Sequence, residues 1–105
     1  MKLKKDKYSA ARDGNSHFLE LFCFKCNNSL LTYQKDGKGS LLRLYLDRII
    51  EPEELTGLQL KFNKKDLPEL RCSNCKNLIG IPMIYKNENR IAFRLIPCSF
   101  SKKNK

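Results

Sequence analysis

A chain of 105 residues has room for one small domain and not for two separate cores. It carries 21 basic and 11 acidic residues, a formal net charge of +10, so its charge attracts anionic rather than basic partners. Five cysteines, with no apolar run in residues 1–16 that could form a signal-peptide core, argue against a secreted disulfide framework and for an intracellular, reducing compartment, cytoplasm or nucleus.

No apolar stretch approaches the length of a membrane-spanning helix, and no membrane partner is expected. Residues 1–16 read as a flexible basic arm, rich in lysine and broken by Asp13-Gly14-Asn15-Ser16. Residues 17–101 read as a zinc-binding β domain, and residues 102–105 as a basic tail. Residues 1–13 and 102–105 together hold +6 of the formal charge. Removing residues 1–13 is expected to leave the fold intact.

Short apolar alternation begins at residue 17. Residues 18–22 and 30–34 predict two strands. Asp36-Gly37-Lys38-Gly39 predicts a turn, because glycine accepts positive φ. Residues 41–47 complete the predicted hairpin, with Leu42, Leu44 and Leu46 on one face. Pro52-Glu53-Glu54 predicts a single helical turn, with acids near its positive end. Residues 58–62 alternate again and predict a strand, and residues 63–68 a polar loop. Residues 78–85 and 90–96 predict a last hairpin around the turn at residues 86–89. No helix longer than about two turns is expected.

The most informative pattern is a pair of Cys-x-x-Cys motifs, Cys23/Cys26 and Cys72/Cys75, with 45 residues between Cys26 and Cys72. Four thiolates close a tetrahedron around one zinc ion, each pair supplying two from a tight knuckle. A single structural Zn2+ would also supply stability that a core this small lacks. A left-handed residue is common just after such a pair, and asparagine tolerates it; asparagine follows both pairs, with Lys76 intervening in the second. Lys25, Lys76 and Arg71 would offset the charge of the site. A thioredoxin-type dithiol needs a pair at a helix N-terminus, and these pairs follow strands. Iron takes the same four ligands. His17 lies outside ligand spacing and reads as a surface residue. Cys98 reads as a small, partly buried apolar residue.

The run Leu70-Arg71-Cys72-Ser73-Asn74-Cys75-Lys76-Asn77-Leu78-Ile79-Gly80, followed by a hairpin with Tyr85, Arg90, Phe93 and Phe100, resembles β-tent zinc domains. Yippee-like proteins, the cereblon ligand-binding domain, the C-terminal domains of RNA-sensing helicases and methionine-R-sulfoxide reductases belong to that group. The resemblance is at the level of the fold and covers residues 18–101. It implies a mostly β, zinc-pinned domain of two antiparallel sheets, β-tent or zinc-ribbon-like. The cereblon-type pocket is built from tryptophans, which this chain lacks. The reductase branch needs pocket histidines and a catalytic cysteine in an Arg-Tyr-Cys-Ile-Asn type surround. Here Cys98 sits in Ile96-Pro97-Cys98-Ser99, with neither an acid/base nor an oriented nucleophile. The RNA-sensing branch uses a lysine-rich face.

The reading is a non-catalytic module binding a macromolecule, nucleic acid first. Lys2, Lys4, Lys5, Lys7, Lys102, Lys103 and Lys105 are candidates for phosphate contact, with Lys61, Lys64, Lys65 and Arg71 extending the patch on the domain. Tyr33, Tyr45, Tyr85 and Phe62 would stack bases if exposed. The alternative is a protein-interaction domain with an acidic partner, docking through residues 47–55, whose plain reading is a loop capping the sheet with Ile49, Ile50 and Leu55 in the core. The third reading is a Cys98-dependent redox enzyme. No small-molecule substrate is evident. The plain reading of the lysines is solubility.

Overall fold

The computed structural model describes residues 2–12 and 15–105. The Asp13-Gly14 part of the expected chain break lies outside the described residues. Among the described residues, eight strands form two antiparallel four-stranded sheets. The first sheet contains β1 (Ser16–Cys23), β2 (Ser29–Asp36), β4 (Ile49–Glu51) and β8 (Phe100–Asn104), in the order β4-β2-β1-β8. The second contains β3 (Arg43–Tyr45), β5 (Leu70–Arg71), β6 (Leu78–Tyr85) and β7 (Arg90–Leu95), in the order β3-β7-β6-β5. The mostly β, two-sheet fold class is thus the one the sequence implies. Among the described residues no helix is long and apolar enough to cross a membrane.

The core lies between the sheets. Leu19, Leu21, Leu31 and Tyr33 face it from the first, and Leu44, Ile79, Phe93 and Leu95 from the second. Alternation along β1 puts Leu19, Leu21 and Cys23 on that face, so the strand's period of two delivers a thiolate at the end of the buried row. Gly80 sits where β6 passes β7: a Cβ there would meet Phe93 Cβ at 2.9 Å. The 3-10 turn Glu53–Leu55 follows Pro52 as expected, and the β6–β7 hairpin has the predicted limits except that β7 ends at Leu95, one residue early.

Four expectations need correction. First, β2 and β3 form no hairpin with each other. β2 already has β1 and β4 as neighbours, and residues 37–42 carry the chain across to the second sheet, where β3 pairs with β7. Gly37 and Gly39 do take positive φ, but in a crossing rather than a two-residue turn. Leu42 is exposed, whereas Leu44 and Leu46 are buried. Second, residues 58–62 hold a one-turn helix, Leu58–Lys61, with only Leu58 buried, and among the described residues no strand pairs with them.

Third, residues 102–105 are no loose tail. Residues 102–104 belong to β8, which pairs with β1 from Leu19↔Asn104 to Cys23↔Phe100, and the Lys105 amide donates to the Phe18 carbonyl at 3.0 Å. Backbone hydrogen bonds hold such an edge strand without apolar side chains, so its lysines hid it from pattern reading. Lysines on an edge also discourage pairing with other chains.

Fourth, where the sequence suggests a flexible arm, the structure has a short helix, Lys7–Ala11, packed on the domain. Asp6 caps it, accepting from the amides of Tyr8 and Ser9, while Ser9 Oγ accepts from the Asp6 amide. Three charged contacts hold it down. Arg48, buried to 1 % exposure, donates to Asp6 at 2.6 Å and to Asp36 at 2.8 Å. Arg12 grips both oxygens of Glu88. Arg90 lies between the rings of Tyr8 and Tyr45, 3.9 and 3.8 Å from their centroids, and pairs with Asp47 and Glu88.

Candidate metal centre

Each Cys-x-x-Cys knuckle replaces the turn of a hairpin, one between β1 and β2 and the other between β5 and β6. Their backbones repeat bond for bond. The Asn27 amide donates to the Cys23 carbonyl at 2.8 Å, and the Cys23 amide to the Asn28 carbonyl at 2.9 Å. The Lys76 amide donates to the Cys72 carbonyl, and the Cys72 amide to the Asn77 carbonyl, both at 2.9 Å. The residue after each second cysteine is left-handed: φ is 62° at Asn27 and 66° at Lys76. That single reversal folds the loop so both thiols of a pair face inward. Lys76, and not the asparagine after it, carries the strained position in the second knuckle.

The two knuckles approach head to head. Cys23 Sγ lies 3.5 Å from Cys75 Sγ, and Cys26 Sγ 3.6 Å from Cys72 Sγ, so the first cysteine of each pair meets the second of the other. All four sulfurs lie within 4.8 Å of one another. Cys23 and Cys72 are buried, Cys26 is half-buried and Cys75 is exposed. Such a set can hold one metal ion, and the burial gradient leaves it accessible from the Cys75 side.

The surroundings prepare thiolates unevenly. Burial pushes Cys23 up, but the backbone amides of Cys26 and Lys25, then the Cys75 thiol, bring it down to about 6. The Asn74 side chain and the Asn28 amide lower Cys26. Cys75 is pushed up to about 11: the Asn77 amide lowers it, but partial desolvation by its neighbours and the other three sulfurs outweigh that. Four clustered thiols cannot all ionise against one another without a cation, which is the charge a divalent metal supplies.

Other side chains brace the centre. Asn28 Nδ2 lies 4.0 Å from Cys72 Sγ, and Asn77 Nδ2 3.8 Å from Cys23 Sγ. Arg71 donates to the Lys76 carbonyl at 3.0 Å and pairs with Glu69, so it supports the second knuckle's backbone. The Ser99 carbonyl accepts from the Phe24 amide at 3.0 Å and from Asn77 Nδ2 at 3.4 Å, tying the segment before β8 to both knuckles. Pattern reading overlooked these bracing roles of Asn28, Asn77 and Ser99. The available signal was the asparagine five residues after the first cysteine of each pair.

Cys98 is exposed and left-handed, with φ 64°, not partly buried as expected. The turn throws its side chain outward, and the buried residue there is Ser99, whose Oγ donates to the Ile96 carbonyl at 2.7 Å. His17 is exposed on β1, six residues from Cys23 and so roughly 20 Å away along the strand.

The lysines expected to face phosphate are distributed over three parts of the chain. Lys2, Lys5 and Lys7 are exposed on the N-terminal segment, and Lys4 Nζ is tied to the Asp47 carbonyl at 2.7 Å. Lys61, Lys64 and Lys65 are exposed around the short helix Leu58–Lys61. Lys102 and Lys103 are exposed on β8, while Lys105 is engaged with Thr32 and Glu51. Among the aromatics, Tyr33 and Tyr45 are buried, Tyr85 is half-buried under Arg43, and Phe62 is exposed. Ile49 is in the core, with Leu55 packed against it.

No family model matches this chain, and neither a curated protein nor a solved structure matches it.

Proposed function

We propose that this chain is a β-tent-like module in which one structural Zn2+ pins the two sheets together, and that the module binds nucleic acid without catalysing a reaction. Zinc is supported by sulfur spacing. Tetrahedral zinc with Zn–S bonds of about 2.3 Å sets its sulfurs about 3.8 Å apart. The two cross-knuckle separations of 3.5 and 3.6 Å fall close to that edge. A structural role follows from four protein ligands, which leave no open position for a reactant.

The observation that carries nucleic-acid binding is a division of labour among the charges. The ion pairs to Asp6, Asp36, Asp47 and Glu88 are taken by Arg12, Arg48 and Arg90, which are wholly or largely buried. Among the described residues the ion-paired lysine is Lys105. The remaining acids are too few to neutralise the exposed lysines. A surface of uncompensated lysines is suited to releasing counterions from a phosphate backbone. Phe62, beside Lys61, Lys64 and Lys65, adds an exposed ring on which a base can stack. For the non-catalytic reading, Cys98 lies two residues before Phe100, which pairs with Cys23, whereas His17 lies six residues along β1 from Cys23, which is out of reach for a base serving that thiol.

The test is fluorescence-anisotropy binding of the zinc-loaded protein to short single- and double-stranded RNA and DNA at two salt concentrations. Binding that weakens steeply with salt yet discriminates among these ligands is expected. Weak, equal binding to all four would reduce the lysines to a solubility feature and leave an acidic protein as the partner to seek.

A further inference from the structure

A cleft of about 430 Å³ opens beside residues 37–42, at the end of the first sheet away from the cysteines. Its walls carry four cations, Arg12, Lys35, Lys38 and Arg43, and among the described residues its carboxylate is Asp36. Asp36 is already spent: it accepts from Ser16, Gln34 and Arg48. Arg12 is held by Glu88. Lys35, Lys38 and Arg43 have no carboxylate partner among the described residues.

Lys35 is the decisive residue. It is only 7 % exposed, and its ammonium donates to the Gly37 carbonyl at 3.0 Å. An ammonium has three donors, so two are unspent. Burying a cation without a counter-charge is costly, and a bound anion would offset that cost. Burial first, then the charges of Lys102 and Arg12, depress Lys35 below the usual lysine range, while Asp36 raises it.

The phenols add donors of the same kind. Tyr45 Oη accepts from Arg12 Nη2 at 3.2 Å and Arg43 Nη1 at 3.1 Å. Both lone pairs are thereby used, and its own proton is left to donate. Tyr33 Oη accepts from the Tyr45 amide at 2.9 Å, and its proton has no acceptor among the described residues. Burial pushes the Tyr33 phenol up, so it stays protonated at neutral pH. The lining therefore offers unspent donors from lysine, arginine and tyrosine around a net positive charge. Its complement is a small anion whose polar atoms all accept.

We propose that this cleft is a binding site for a phosphate group, supplied as inorganic phosphate or as a small phosphomonoester. The volume is that of a small-molecule pocket, with room for an organic part beside the phosphate. None of the lysines assigned above to nucleic acid lines the cleft, so this site stands independently of that reading.

The experiment is a two-dimensional amide NMR titration of the metal-loaded protein. Inorganic phosphate, a nucleoside monophosphate and a 5′-hydroxyl DNA oligonucleotide are compared, with ionic strength matched by sodium chloride. Saturable shifts of the Gly37, Lys38 and Arg43 amides with phosphate or the monophosphate, absent with chloride, are expected. Tighter binding of the monophosphate assigns a phosphomonoester; equal binding assigns inorganic phosphate. Lys35→Met, which keeps the apolar stem, should weaken binding about tenfold or more, the value of one charge-assisted hydrogen bond. Arg43→Gln should act likewise and decides the matter if Lys35→Met unfolds. Shifts that chloride reproduces, affinity unchanged in a folded variant, or a response to the oligonucleotide alone would each overturn the proposal.

Discussion

Asn28 and Asn77 occupy equivalent places in the two knuckles, and each reaches across to a sulfur of the other, Asn28 to Cys72 and Asn77 to Cys23. The exchange makes each knuckle a support for the other's thiols, so the two sheets are coupled through side chains at the place where four cysteines can hold an ion. Hydrogen bonds to metal-bound thiolates lower their charge and fix their orientation.

Replacing either asparagine by alanine should therefore leave the fold intact and weaken metal retention. At 3.8 and 4.0 Å these are long contacts, so the loss is expected at the lower end of such effects, about tenfold for each. Competition with a chromophoric chelator reads it directly, and metal affinity unchanged in both variants would remove the asparagines from the centre.

The metal itself should be indispensable. Chelation, or Cys26→Ser or Cys72→Ser, is expected to collapse amide dispersion and release the ion, because binding to a structural site contributes on the order of 10 kcal/mol to the folded state. Cys98→Ser, altering an exposed turn residue, should change neither. A folded Cys72→Ser protein would contradict the structural role.

The buried cation Arg48 makes an internal comparison possible. Asp36 is 4 % exposed and Asp6 40 % exposed in their side chains. Asp36→Asn should cost about 3 kcal/mol by leaving Arg48 poorly paired in the interior. Asp6→Asn should cost about 1 kcal/mol, since water screens that pair. Deleting residues 1–13 removes Asp6, Tyr8 and Arg12 together and should lower the urea midpoint, contrary to what a flexible arm implies. Equal midpoints for the full and shortened chains would show the docked segment to be energetically idle.

Acid should weaken the same contacts. Arg48 holds Asp6 down to about 2, and Arg12 then Arg90 hold Glu88 below its ordinary value despite its burial. Folded values below unfolded ones mean the stabilisation is present above the unfolded pKa, about 4, and fades as pH falls through the folded one. Thiolate protonation releases metal over an overlapping range. The informative quantity is therefore the difference in urea midpoint between the native chain and Glu88→Gln, measured from pH 6 downward. It should shrink as pH falls below about 4; a constant difference would rule out the linkage.

Gly80→Ala tests the close passage of β6 over β7. The added methyl would meet Phe93 Cβ at 2.9 Å, and a cost of about 1–3 kcal/mol in thermal or urea unfolding is expected from overpacking.

Much of this molecule is legible in its residues. The four cysteines are recognisable because ligand spacing within a knuckle is local, β1 because alternation writes its buried face directly into the sequence, and β2, β6 and β7 because short apolar runs end at turn residues. Those features determine the fold class and the set of cysteines that can hold a metal. Strand partnership is different, since it depends on which edges remain free. Only the tertiary structure sends β3 to β7 and lays a lysine-rich strand along β1 through backbone bonds that no side chain announces. Charge follows the same division. A net charge is a sum over residues, whereas its compensation depends on distance. Folding alone brings Arg48 to Asp6 and Asp36, and buries Lys35 in a cleft of donors.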